Sequence, residues 1–92
     1  MSNINWSMLI TKAMKDAEAA AIARAAQVLV EDSWRAAEAA FIADQLLAIE
    51  DDDPAALPGT DRQWRDYRIK VRAWKEGHPD FPDATKRPTR PA

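Results

Sequence analysis

Thr60-Asp61-Arg62-Gln63-Trp64-Arg65-Asp66-Tyr67-Arg68-Ile69-Lys70-Val71-Arg72-Ala73-Trp74-Lys75-Glu76-Gly77 is the most legible stretch of this 92-residue chain. Thr60 and Gln63 have the spacing of a capping box, in which the threonine hydroxyl accepts the amide at Gln63 and the glutamine side chain reaches back. Trp64, Tyr67, Val71 and Trp74 then recur at helical spacing and share one face. Gly77 supplies a stop. The spacing predicts a helix over about residues 60–76, with an aromatic face flanked by the basic row Arg65, Arg68, Arg72 and Lys75.

Upstream, Glu50-Asp51-Asp52-Asp53-Pro54 ends whatever helix precedes it. Negative charge is unfavourable at a helix C-terminus, and the residue before proline avoids the α region. No glycine or proline occurs before Pro54, and alanine, the best helix former, dominates. A first helix is therefore predicted over about residues 11–50, with Thr11 as its cap. Its apolar residues form a wide stripe of two rows: Leu29, Ser33, Ala36, Ala40, Ala43 and Leu47, beside Val30, Trp34, Ala37, Phe41 and Ala48. Met14, Ala17, Ala21, Ala25 and Val28 continue it as a thinner seam of small residues. On another face, Glu31–Arg35 and Arg35–Glu38 have the spacing of ion pairs. Residues 1–10, with Trp6, read as an extended or single-turn anchor.

Forty residues of helix reach about 60 Å, whereas a compact domain of this size is only about 30 Å wide. Either the helix breaks near Ala23–Gln27 or a neighbouring chain covers it. The second reading is preferred, with a dimer through residues 14–48, where small residues allow close approach.

Downstream, residues 77–92 hold four prolines and one aromatic, Phe81, and read as an extended, polyproline-like arm. Residues 79–91 have too few apolar groups to fold alone. The arm reads either as a disordered end or as a segment that docks, on its own helices or on a partner. The expectation is a partner, reached through Phe81, with Pro82 directing the ring and Arg87 and Arg90 meeting acidic groups. Deleting it is expected to leave the helices intact. Before residue 60 the chain carries four basic and ten acidic side chains, whereas residues 60–76 carry six basic and three acidic ones. The two helices should attract. The predicted architecture is all-α: a long amphipathic helix, a short loop, a second helix forming an α-hairpin, and the arm. Trp64, Tyr67, Val71 and Trp74 are expected to pack on Trp34, Phe41 and Leu47.

Composition narrows the function. Without cysteine, disulfides, thiolate zinc sites and cysteine nucleophiles are excluded. The lone histidine, His78, sits between Gly77 and Pro79 and reads as exposed. Glu50–Asp53 lacks the alternating oxygens and glycine turn of a calcium loop. No segment reads as a signal peptide, and charges interrupt every apolar run before the roughly 20 residues a membrane span needs. The Arg65-Arg68-Arg72-Lys75 row beside two tryptophans suits nucleic acid, but the acidic first half opposes phosphate and the tryptophans serve better as core. The expectation is a non-enzymatic interaction protein without metal or cofactor, binding neither nucleic acid nor membrane.

One ordered set of motifs is more specific. Ile42-Ala43-Asp44-Gln45-Leu46-Leu47, Leu57-Pro58, Trp64-Arg65-Asp66-Tyr67-Arg68, Arg72, Phe81-Pro82 and Arg90-Pro91 follow one another. Over about residues 41–91 the chain resembles the tail-assembly chaperones of bacteriophages, including the C-terminal part of tail fibre assembly proteins. It departs from that family where Glu50-Asp51 stands for the frequent Asp-Trp, and Arg87-Pro88 for Trp-Pro. The resemblance implies a chaperone that binds a tail or tail fibre protein in the host bacterial cytoplasm, and that either leaves or stays on the virion. The partner-binding set is then Trp64, Tyr67, Arg68, Arg72, Trp74, Phe81, Pro82, Arg87 and Arg90. The alternative is a small phage or prophage protein that binds and modulates a host protein.

Overall fold

A computed structural model describes residues 2–92, with side chains described from Thr11 onward. It is all-helical among those residues: α1 spans Ser2–Glu50, α2 spans Asp61–Ala73, and a single 3₁₀ turn spans Ala84–Lys86. The two α-helices pack against each other as an α-hairpin.

The break considered near Ala23–Gln27 does not occur, because nothing in an alanine-rich run without glycine or proline interrupts the backbone ladder. For the same reason the helix does not start at Thr11. Its backbone is already helical from Ser2, so an extended anchor over residues 1–10 is corrected for residues 2–10. The side chain of Trp6 lies outside the described residues. The molecule measures 77 × 18 × 17 Å, with a radius of gyration of 21.0 Å, against about 12 Å for a compact chain of this length. It is a rod with a hairpin at one end.

The aspartate run ends α1 with a Schellman motif. Asp52 takes φ 53°, the left-handed conformation that a short polar side chain tolerates. The Asp53 amide donates to the Ala48 carbonyl at 2.9 Å, and the Asp52 amide to Ile49 at 3.1 Å. The capping box at Thr60 forms with both reciprocal bonds. α2 stops at Ala73 rather than Glu76. Its last turn is held from outside, since Arg35 Nη1 on α1 donates to the Trp74 carbonyl at 2.9 Å. A cation at this end also suits the helix dipole.

The core is narrow. Ile42, Trp64, Tyr67 and Val71 form a buried cluster against which Trp34, Phe41, Leu46 and Ile49 pack. The aromatic face of α2 is inside, as its spacing predicts. Two expectations about α1 are corrected. Leu47 is 56% exposed, and Ile42, Leu46 and Ile49 take its place. The whole row Leu29, Ser33, Ala36, Ala40, Ala43 and Leu47 is exposed, with only Ala43 and Leu47 bordering α2, in a groove beside Asp61 and Arg68. The docking side is the row with Glu31, Glu38, Ile42 and Ile49, because that side alone carries acceptors matched to the polar tips of α2.

The arm does not reach outward. It turns at Gly77 (φ +100°), crosses the end of α2 and runs back along α1. Pro91 meets the loop at Gly59, where a Cβ would lie 2.8 Å from both Pro91 and the Trp64 indole nitrogen. That position admits only glycine, by space and by its φ of +120°.

Candidate interaction site

The surface that joins the three segments is built on acceptors spaced seven residues apart along α1: Glu31, Glu38 and Gln45. Two turns of helix separate each from the next, so they form one row, and each meets a donor returning from later in the chain.

At the first rung, Arg87 forks onto Glu31, its Nε and Nη2 each 2.5 Å from a carboxylate oxygen. Trp74 Nε1 donates to the same carboxylate at 3.1 Å. At the second, Arg90 forks onto Glu38 at 2.6 and 2.9 Å, and the Tyr67 hydroxyl donates to it at 2.8 Å. At the third, the Gln45 side-chain oxygen accepts the Leu57 amide at 2.9 Å. Both guanidinium groups also lie over aromatic rings of α1, Arg87 over Trp34 at 4.9 Å and Arg90 over Phe41 at 3.9 Å. Tyr67 and Trp74, the C-cap residue of α2, are themselves seven apart, so they repeat the period of α1 and supply one donor to each of the first two rungs.

Glu31 is 1% and Glu38 5% exposed. A buried carboxylate survives as an anion only when paired and hydrogen-bonded. Here the arginine bonds hold both carboxyls below their usual range, outweighing the upward push of burial, with the Trp74 and Tyr67 bonds adding to the effect. Burial and the Glu38 anion together raise the Tyr67 hydroxyl well above its ordinary value. Among the described residues no buried side-chain nitrogen or oxygen lacks a partner.

The expected pairs Glu31–Arg35 and Arg35–Glu38 do not form. Arg35 bonds Asp32 at 2.8 Å and the Trp74 carbonyl instead, leaving both glutamates to the arm. The residues expected to bind a partner divide accordingly. Trp64, Tyr67, Trp74 and Phe81 are buried within the chain, with Phe81 edge-on to Trp74 at 5.6 Å. Arg87 and Arg90 are taken by the glutamates. All six make contacts within the hairpin, with Arg90 still 46% exposed. Pro82 lines a groove with Ala26, Gln27, Val30 and Ala84. Arg68 borders a second with Ala43, Leu46 and Asp61, and Arg72 is exposed. Glu31 and Glu38 were missed because a glutamate in an alanine-rich helix reads as solvated. The available signal was their seven-residue recurrence, with Gln45, beside Trp34, Phe41 and Ile42.

The projecting half of α1 is the other exposed feature. Every residue from Thr11 to Gln27 is exposed, and the ion pair of Arg24 with Glu76 at 2.6 Å ties this stretch to the hairpin. Among the described residues there is no group of acidic or histidine side chains placed to hold a metal ion, and no helix long and apolar enough to cross a membrane. Compared with known proteins, the chain matches no family, no curated protein and no solved structure.

Proposed function

We propose that the protein is a non-enzymatic chaperone of bacteriophage tail or tail fibre assembly, acting in the host bacterial cytoplasm and binding a tail or fibre protein without cofactor or metal. The observation that carries this reading is the rod-and-hairpin shape. A locked hairpin presents basic side chains outward, while a helix several turns long projects from it uncovered. That is a form suited to holding another protein rather than to enclosing a substrate.

The motifs behind the family resemblance support it in a specific way. Gln45, Pro58, Trp64, Tyr67 and Arg90 all make hydrogen bonds that fasten this hairpin. A shared order of these residues therefore means a shared hairpin, and the partner is chosen by what the hairpin leaves outside. On α2 that includes half-buried Arg68 and exposed Arg65, Ile69 and Arg72, with Arg65 paired to Asp61, a basic strip with one exposed apolar residue that suits an acidic partner surface.

Co-expression with the C-terminal region of a tail fibre protein from the same phage genome is the test. The fibre region should co-purify with the wild type. The double variant Arg68→Glu/Arg72→Glu should weaken capture at least tenfold, about 1.4 kcal/mol, while the hairpin stays folded, with only the small loss of stability that an anion in the last turn of α2 brings. A fibre that folds and assembles equally well without this chain, and does not co-purify with it, would rule the proposal out.

A further inference from the structure

We infer that α1 pairs with α1 of a second copy of this chain, antiparallel, through the face that the hairpin leaves exposed. That face is apolar along most of its length: Met14, Ile22, Leu29 and Leu47 are 56–69% exposed, Glu18 lies between the first two, and Ala25, Ala36, Ala40 and Ala43 fill the positions from Ile22 to Leu47. The hairpin, docked on Glu31, Glu38 and Ile42, leaves these residues exposed, and only Ala43 and Leu47 border it, in a groove beside Asp61, Arg65 and Arg68.

Size and charge both select the second copy and its direction. The large exposed side chains Met14, Ile22 and Leu29 lie in the first part of the row, and the small ones Ala36, Ala40 and Ala43 in the last. Antiparallel pairing centred near residue 31 sets Ile22 against Ala40, Ala25 against Ala36, Leu29 against Ser33 and Met14 against Leu47. Large then meets small at Ile22–Ala40 and Leu29–Ser33, as close packing favours, and Met14 meets Leu47 at each end of the seam. A parallel pair would set Ile22 on Ile22 and leave the three alanines facing one another across a gap. Antiparallel pairing also lays Lys12 and Lys15 beside the partner's acidic terminus, which in this sequence is Glu50-Asp51-Asp52-Asp53, and opposes the helix dipoles. In a parallel pair the two acidic termini would coincide.

The overlap from Met14 to Leu47 spans about 50 Å at 1.5 Å per residue. Each projecting half would be covered by the other copy's hairpin-bearing half, leaving one hairpin toward each end of the rod. This self-association does not depend on the tail-assembly reading: its seam from Met14 to Ala40 lies apart from Arg68 and Arg72, and only Ala43 and Leu47 border the groove that Arg68 lines.

The chain has no cysteine, so introduced thiols report directly. Sedimentation at tens of micromolar should give twice the 10.3 kDa chain mass, and Leu29→Glu should weaken the dimer at least tenfold. Tryptophan fluorescence melting checks that the hairpin of this variant is intact. With a short thiol crosslinker, a mixture of Ile22→Cys and Ala40→Cys chains should form crosslinked dimers, whereas neither variant alone should. A monomeric wild type would overturn the inference. So would a dimer in which Ile22→Cys crosslinks to itself, which would mean a parallel pair. Crosslinking of these positions to a co-expressed fibre fragment, without dimer, would assign the face to that partner and equally overturn it.

Discussion

The two halves of α1 have similar composition and different fates. Residues 11–27 and 28–50 are both alanine-rich, both helical and both uninterrupted by glycine or proline. The first is exposed all round, whereas the second buries two carboxylates and a strip of apolar side chains. What separates them is not helix propensity. It is whether later parts of the chain return with matching donors. Glu31, Glu38 and Gln45 each receive one, while Glu18 is exposed in the projecting half. Propensity makes the helix; the acceptor row decides which stretch of it becomes part of a domain.

The largest expected effect lies in the docked half. Trp74→Ala removes a fully buried side chain and should cost about 3–5 kcal/mol, a large fraction of a small domain's stability. Ala20→Gly in the projecting half should cost about 1 kcal/mol of local helix, seen as faster amide exchange there with the hairpin melting temperature unmoved. Equal effects on hairpin melting would erase the distinction between the halves.

A smaller effect should rank the rungs. Glu31→Ala strands Arg87, which is 28% exposed, and leaves the buried Trp74 N–H without an acceptor. It should cost about 3 kcal/mol, the low end for breaking a buried pair. Glu38→Ala leaves Arg90 at 46% exposure free to hydrate, so the loss should be nearer 2 kcal/mol. Ending the chain after Lys86 removes both arginines and should destabilise the hairpin, contrary to the expectation that the arm is dispensable for folding. Chemical denaturation of the three variants gives the order directly.

The smallest expected change is with pH. Glu31 and Glu38 have folded-state pKa values depressed below the ordinary carboxylate value. Their contribution is therefore present above the unfolded pKa, about 4.3, and lost as pH falls through the folded values. Melting temperature should drop below about pH 4, and less so in Glu31→Gln, which has less stability left to lose. Tyr67 has the opposite sign. Its raised pKa makes stability fall as pH rises past the unfolded tyrosine value near 10, and Tyr67→Phe should flatten that limb.

Part of this was legible in residue order. The capping box at Thr60, the aromatic face of α2 and the stop at the aspartate run need only local rules, because each depends on groups within a turn or two of one another. The start of α1 was misplaced because Thr11 is a good cap residue in a stretch where nothing obliges the helix to begin. The end of α2 was overrun by three residues because Arg35, thirty-nine positions away, satisfies the carbonyl of Trp74.

By itself, then, the sequence determined two helices, their order, the loop between them and the inward face of the second, since periodicity and capping are properties of neighbours along the chain. Only the tertiary structure decided which face of α1 is buried. Two rows were available, one of alanine and leucine and one interrupted by glutamates, and hydrophobicity alone favours the first. The second prevails because Tyr67 and Trp74, seven residues apart, and Arg87 and Arg90, three apart on the returning arm, bring donors to Glu38 and to Glu31. Burying a carboxylate that accepts several bonds is tolerable where burying an unpaired one is not. That match involves three segments up to 56 positions apart, and it exists only once the chain has folded back on itself.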